Sequence, residues 1–102
     1  MTRLIKTNGE RHTNTTFFRK DNKIILSVHL VRNYIDGKFD IGSLTIRYND
    51  NNIYCGECMW HNENDLLKAH DDMMDMFKKE FDFDELSHET TIHTRIIKKD
   101  VE

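Results

Sequence analysis

The stretch Lys23-Ile24-Ile25-Leu26-Ser27-Val28-His29-Leu30-Val31-Arg32-Asn33-Tyr34-Ile35, then Asp36-Gly37, then Lys38-Phe39-Asp40-Ile41-Gly42-Ser43-Leu44-Thr45-Ile46-Arg47-Tyr48 decides the fold. Two β-rich runs flank Asp-Gly, a dipeptide that accepts the positive φ angles of a two-residue hairpin turn. In the first run Ile24, Leu26, Val28 and Leu30 share one face by the period of two, which makes that face the expected core side. In the second, Leu44, Ile46 and Tyr48 alternate with Thr45 and Arg47 in the same way.

Outward from this hairpin, Asn8-Gly9, Asp21-Asn22 and Asn49-Asp50-Asn51-Asn52 read as further turns. Strands are expected near 2–7, 12–20, 23–34, 38–48 and 53–59, with a last one over 89–99. After Trp60 the period changes. Asn62 or Asn64 is placed to cap a helix, Asp65 suits its first turn, and Leu66, Leu67, His70, Met73, Met74, Phe77 and Phe81 form one apolar stripe. One such helix covers one face of one sheet. The expectation is a single α+β domain over 1–102, an antiparallel meander of about five to six strands with one amphipathic helix on one face.

A chain of 102 residues with 37% apolar content affords one core with little margin. It holds no proline, no apolar run long enough to span a membrane and no apolar leader at its N-terminus, so a cytoplasmic setting is expected. In a reducing compartment its two cysteines, Cys55 and Cys58, read as a metal-ligand pair or a pair of free thiols rather than a disulfide. The stretch Cys55-Gly56-Glu57-Cys58-Met59-Trp60-His61 resembles a zinc knuckle feeding a helix. With His61 and His70 it supplies four nitrogen and sulfur donors for a structural zinc, while His12, His29, His88 and His93 are alternative donors. In a strand, residues three apart point to opposite faces, so a backbone turn at Gly56 is required. CGEC also resembles the CGPC of thioredoxins, but the preceding meander and the absence of any proline argue against that fold.

No GxSxG, HExxH, GxxxxGK[ST] or GxGxxG motif is present, and no catalysis is expected. His29 and His93, with Arg95, are the residues a small sheet-based ribonuclease would use as base, acid and phosphate clamp. Phe17 and Phe18 beside Arg19 and Lys20 offer phosphate contact and stacking, though only one of two adjacent aromatics on a strand can be free.

Charge is divided along the chain. Residues 1–35 carry seven Lys and Arg against two acids, whereas 61–90 carry three against ten. Asp71, Asp72 and Asp75 on the polar side of the helix, continued by Asp82, Asp84 and Glu85, form an acidic run suited to a basic protein surface. In size, in a composition rich in Asn, Asp, Ile and Lys, and in this acidic helix, the chain resembles the small anti-CRISPR proteins of phages. That resemblance implies a stoichiometric inhibitor whose partner is a host protein, a CRISPR effector nuclease, and which neither binds nucleic acid directly nor associates with a membrane.

Overall fold

The computed structural model describes the backbone of residues 3–48 and 51–101 and the side chains of residues 6–48 and 59–96. The elements follow in the order β1 (Arg3–Lys20), β2 (Lys23–Ile35), β3 (Lys38–Tyr48), β4 (Asn51–Trp60), α1 (Glu63–Glu80) and β5 (Glu85–Val101). The strands form one five-stranded sheet in the order β4-β3-β2-β1-β5, and each neighbouring pair is antiparallel. The molecule is an α+β meander with one helix. Consecutive strands pair as far as β4, with tight turns joining β1 to β2 and β2 to β3, after which α1 crosses the sheet and delivers β5 to the far edge beside β1.

Two turns have the expected chemistry. Asp21 and Asn22 (φ 52 and 64°) and Asp36 and Gly37 (φ 49 and 79°) carry consecutive positive φ angles, matching the right-handed twist of the strands they join. Asn8-Gly9 is not a turn, because β1 runs straight through it between two neighbours: Gly9 pairs with Ile35 on one side and Arg95 on the other. Asn8 serves the β2–β3 turn instead. Its backbone N–H donates to the Asp36 carboxylate (2.9 Å) and its carbonyl accepts from the Asp36 N–H (2.8 Å).

The core lies between α1 and one face of the sheet. Phe18, Leu26, Val28, Ile46, Met74 and Phe77 form one buried cluster, and Leu30, Leu44 and Leu66 form a second; Met73 packs against both. The alternation in β2 holds for Leu26, Val28 and Leu30 but breaks at Ile24, which is 47% exposed. A bulge explains it: Phe18 pairs with Leu26 and Arg19 with Ile24, leaving Ile25 as the extra residue that packs on the core in place of Ile24. Asn62 caps α1 by accepting from the Asp65 N–H (3.1 Å), and Leu66, Met74 and Phe77 are its buried residues. Gly42 lets the helix settle on β3. A methyl group there would meet the Leu66 side chain and lie 2.7 Å from the Val31 carbonyl oxygen.

The helix packs over β3 and β4 and shares its cores with β2 and, at one end, with Phe18 of β1 and Leu86 of β5, so the sheet is covered unevenly. Beyond the Gly9–Ile35 pair, β1 and β5 continue as a two-stranded ribbon to the Arg3–Val101 pair. That extension gives the molecule its 61 Å long axis.

Candidate functional site

Because directly paired residues share a face, the register assigns every strand residue to one side. Glu10, His12, Asn14, Thr16 and Phe18 of β1 lie on the helix side with His88, Thr90, Ile92 and Thr94 of β5. The helix does not reach that far. The gap is a cleft of about 620 Å³ whose floor includes Asn14, Thr16, His88 and Thr90 and whose wall is the flank of α1 bearing His70, Asp71, Asp75 and Lys78.

The wall residues follow from the helical period: Asp71, Asp75 and Lys78 recur at steps of four and three on the edge of the apolar stripe. Asp71, Asp72 and Asp75 are all exposed, as the sequence predicts. Asp72 is held by Lys68 (3.0 Å), an exposed i,i+4 pair of small energetic worth. His70, expected in the core, sits half-buried at the cleft margin with Nδ1 3.7 Å from the Asp71 carboxylate. Burial pushes its imidazole below the usual histidine range, against the opposing pull of Asp71. On the floor, the His88 Nδ1 and Thr16 hydroxyl are hydrogen-bonded (3.1 Å), and the Arg32 guanidinium donates to Asn14 (2.9 Å). At the helix N-terminus the Tyr34 hydroxyl donates to the Glu63 carboxylate, and burial together with that bond raises the Tyr34 pKa. The cleft thus joins fixed hydrogen-bonding groups to two solvent-facing carboxylates.

The rest of the acidic run is dispersed. Asp82 pairs with Lys20 (3.4 Å), and the Asp84 carboxylate accepts from the Asp21 N–H (3.2 Å), tying the segment after α1 to the β1–β2 turn. Glu85 pairs in register with Arg19, whose guanidinium donates to Ser87 on the helix-free face. Six acids that are near neighbours in sequence therefore divide between a helix flank, a turn and the opposite side of the sheet.

The proposed ligand set is described only in part. His61 is exposed at the end of β4, but His70 looks into the cleft on the β1–β5 side. Strand β4, which carries Cys55 and Cys58, is three strand spacings from β1, roughly 14 Å. The side chains of Cys55 and Cys58 lie outside the described residues. The backbone does depart from the ladder where a turn at Gly56 is expected: Ser43 pairs with Met59 and Thr45 with Tyr54, so residues 55–58 oppose Leu44 alone. Among the described residues no group of three or more His, Cys, Asp or Glu side chains is placed to hold a metal.

His29 and His93 share the helix-free face but not a site. Their partners on β1 are Thr15 and Arg11, which separates them by roughly 14 Å along the strands and roughly 10 Å across them. His29 is engaged at both ring nitrogens, by the Thr15 and Ser27 hydroxyls (3.1 Å each), and burial, with Arg47 nearby, lowers its pKa. His93 and Arg95 line a separate cavity of about 460 Å³ with Arg11, Asn33, Ile41 and Met59. Phe18 is fully buried, while Phe17 remains on the helix-free face with the Arg19 guanidinium 5.7 Å from its ring centre. Lys20 points to the other side, towards Asp82, so Arg19 and Lys20 do not form one basic patch.

Sequence reading missed the floor of the cleft. Its signal was the alternation His88, Thr90, Ile92 and Thr94, polar residues on what the register makes the core side of β5. No helix among the described residues is long and apolar enough to cross a membrane. No family model, no curated protein and no solved structure matches the chain.

Proposed function

We propose that this chain is a stoichiometric protein-binding inhibitor of the anti-CRISPR type, which engages a basic surface of a CRISPR effector nuclease through the acidic flank of α1. The observation that carries the reading is the pairing of exposed Asp71 and Asp75 with the hydrogen-bonding floor of Asn14, Thr16 and His88 in one cleft. Lysine and arginine side chains fit such a surface: their charged heads meet the carboxylates while amide and hydroxyl groups accept the remaining donors. The helix is anchored by Leu66, Met74 and Phe77, so the carboxylates are presented without ordering a loop. The anti-CRISPR assignment itself rests on size, composition and the acidic helix. An inhibitor of this kind needs no turnover, and none is proposed.

Purified chain added to CRISPR effector nucleases should block target cleavage at equimolar dose. Reversal of Asp71, Asp72 and Asp75 to lysine should slow association, with the difference shrinking as salt rises. If neither the wild-type chain nor this variant alters cleavage or interference in cells, the anti-CRISPR reading fails.

The competing reading, a sheet-based nucleic-acid binder or ribonuclease, has one observation in its favour: Arg11, Arg19, Arg47 and Arg95 lie on the helix-free face with Phe17. It requires that Arg11→Glu with Arg47→Glu removes binding to RNA or DNA and that the aspartate reversals do not.

We also propose a structural zinc held by Cys55, Cys58, His61 and His70, for which the departure of residues 55–58 from the ladder is the support. Purified protein should contain about one equivalent of zinc, and Cys55→Ser or Cys58→Ser should release it and lower the melting temperature. Less than about a tenth of an equivalent, with melting indifferent to chelator, rules the site out.

A further inference from the structure

Strand β5 is an edge of the sheet, hydrogen-bonded to β1 alone, and residues 88–96 of it are exposed throughout. Proteins blunt such edges with proline, lysine, a bulge or a covering element. Over residues 88–96 none of these protects β5: its register with β1 is unbroken, the segment contains neither proline nor lysine, the strand's lysines Lys98 and Lys99 lie beyond it, and α1 reaches β5 only at Leu86. Ile92 and Ile96 stand 56% and 63% exposed on the helix side.

The sequence of the strand names its own partner. Glu85 and Glu89 occupy its first part, and Arg95, Lys98 and Lys99 outnumber Asp100 in its last, so two copies attract when antiparallel and repel when parallel. A twofold axis perpendicular to the sheet keeps both helices on one side and pairs residues of like face. With the axis at Ile92, Glu89 lies opposite Arg95 of the second copy, Thr90 opposite Thr94, His88 opposite Ile96, and Ile92 opposite itself; Glu85 falls across from Lys99. A shift of the axis by one residue loses this match, because Glu89 then meets His93 or residue 97.

We propose that β5 is a self-complementary dimer edge: two copies of the chain pair antiparallel along it about Ile92, joining their sheets into one. The dimer adds main-chain hydrogen bonds along an otherwise unpaired edge, places opposite charges in direct cross-strand contact, and brings Ile92 and Ile96 of both copies together on the helix side. It also sets two acidic helix flanks on the same side, although the pairing does not depend on what those flanks bind.

Sedimentation equilibrium of the full chain between about 5 and about 500 μM tests the proposal. Wild-type protein should shift from monomer to dimer across that range. Arg95→Glu, which sets glutamate against Glu89 at two symmetric positions, should weaken the dimer by roughly tenfold or more, as should Ile92→Lys, which opposes two like charges at the axis. The swap Glu89→Arg with Arg95→Glu should restore association. As an independent measurement, amide exchange over 88–96 should slow as wild-type concentration rises. A wild-type chain monomeric at the top of the range overturns the proposal and leaves the edge to an extended segment of another protein. A dimer indifferent to both single substitutions overturns it too, since the contact then lies elsewhere.

Discussion

The half of the sheet made by β2, β3 and β4 and the half made by β1 and β5 belong to one ladder but meet opposite surroundings. Over the first, α1 seats Leu66 against Leu30 and Leu44, and Met74 and Phe77 against Leu26, Val28 and Ile46, reaching the second only at Phe18 and Leu86. Over the rest of the second there is a cleft, then open strand, with Ile92 and Ile96 in solvent. The difference arises from helix width. One helix is about 10 Å across, close to the spacing of three adjacent strands, so a five-stranded sheet keeps roughly two strands uncovered. Stability is concentrated under the helix, and the surfaces free to bind lie beside and beyond it.

Substitutions should expose that asymmetry. Phe77→Ala or Leu66→Ala opens a cavity in the covered half and should cost about 3–5 kcal/mol in denaturant unfolding. Gly42→Ala forces a methyl group against Leu66 and the Val31 carbonyl and should cost about 1–3 kcal/mol. Ile92→Ala, at an equally apolar residue of the open half, should cost less than about 0.5 kcal/mol at low micromolar concentration. Equal losses at Leu66 and Ile92 would erase the distinction.

The covered half was legible in sequence because burial writes periodicity: Leu26, Val28 and Leu30, then Leu44 and Ile46, then Leu66, Met74 and Phe77 announce their faces. The α+β meander with its single helix follows from those residues. What was not legible is long-range. Asn8-Gly9 has turn chemistry, yet pairing on both sides holds it extended. Ile24 and Ile25 exchange roles at a bulge that no local pattern marks. The exposed acids of α1 were readable from the wheel, but the cleft beside them was not, since Thr16 and His88 meet only through the β1–β5 register. For the same reason the separation of His29 from His93 appears only once the strand order is known.

Acid should act on both halves at once, through His29 on the helix-free face and His70 at the cleft. Both imidazoles have folded pKa values below the ordinary 6.5, so the unfolded chain binds their protons more readily. Their contribution is complete above pH 6.5 and is lost as pH falls below it through the folded values. Melting temperature should therefore drop between pH 7 and pH 5, and His29→Gln should flatten part of that slope. A melting temperature that rises on acidification contradicts the assignment. The smallest effect on stability is expected from reversing Asp71, Asp72 and Asp75 to lysine, within about 1 kcal/mol, since all three are exposed.

Residue-resolved amide hydrogen exchange at low micromolar concentration measures the asymmetry directly. The slowest amides should fall in residues 26–30 and 44–46 of β2 and β3 and in the Leu66–Phe77 segment of α1, with β5 amides over 91–96 exchanging at least about a hundredfold faster through local opening. Protection over 91–96 equal to that of β2 in the monomer would show that the β1–β5 half is as stable as the covered half, and would contradict the account.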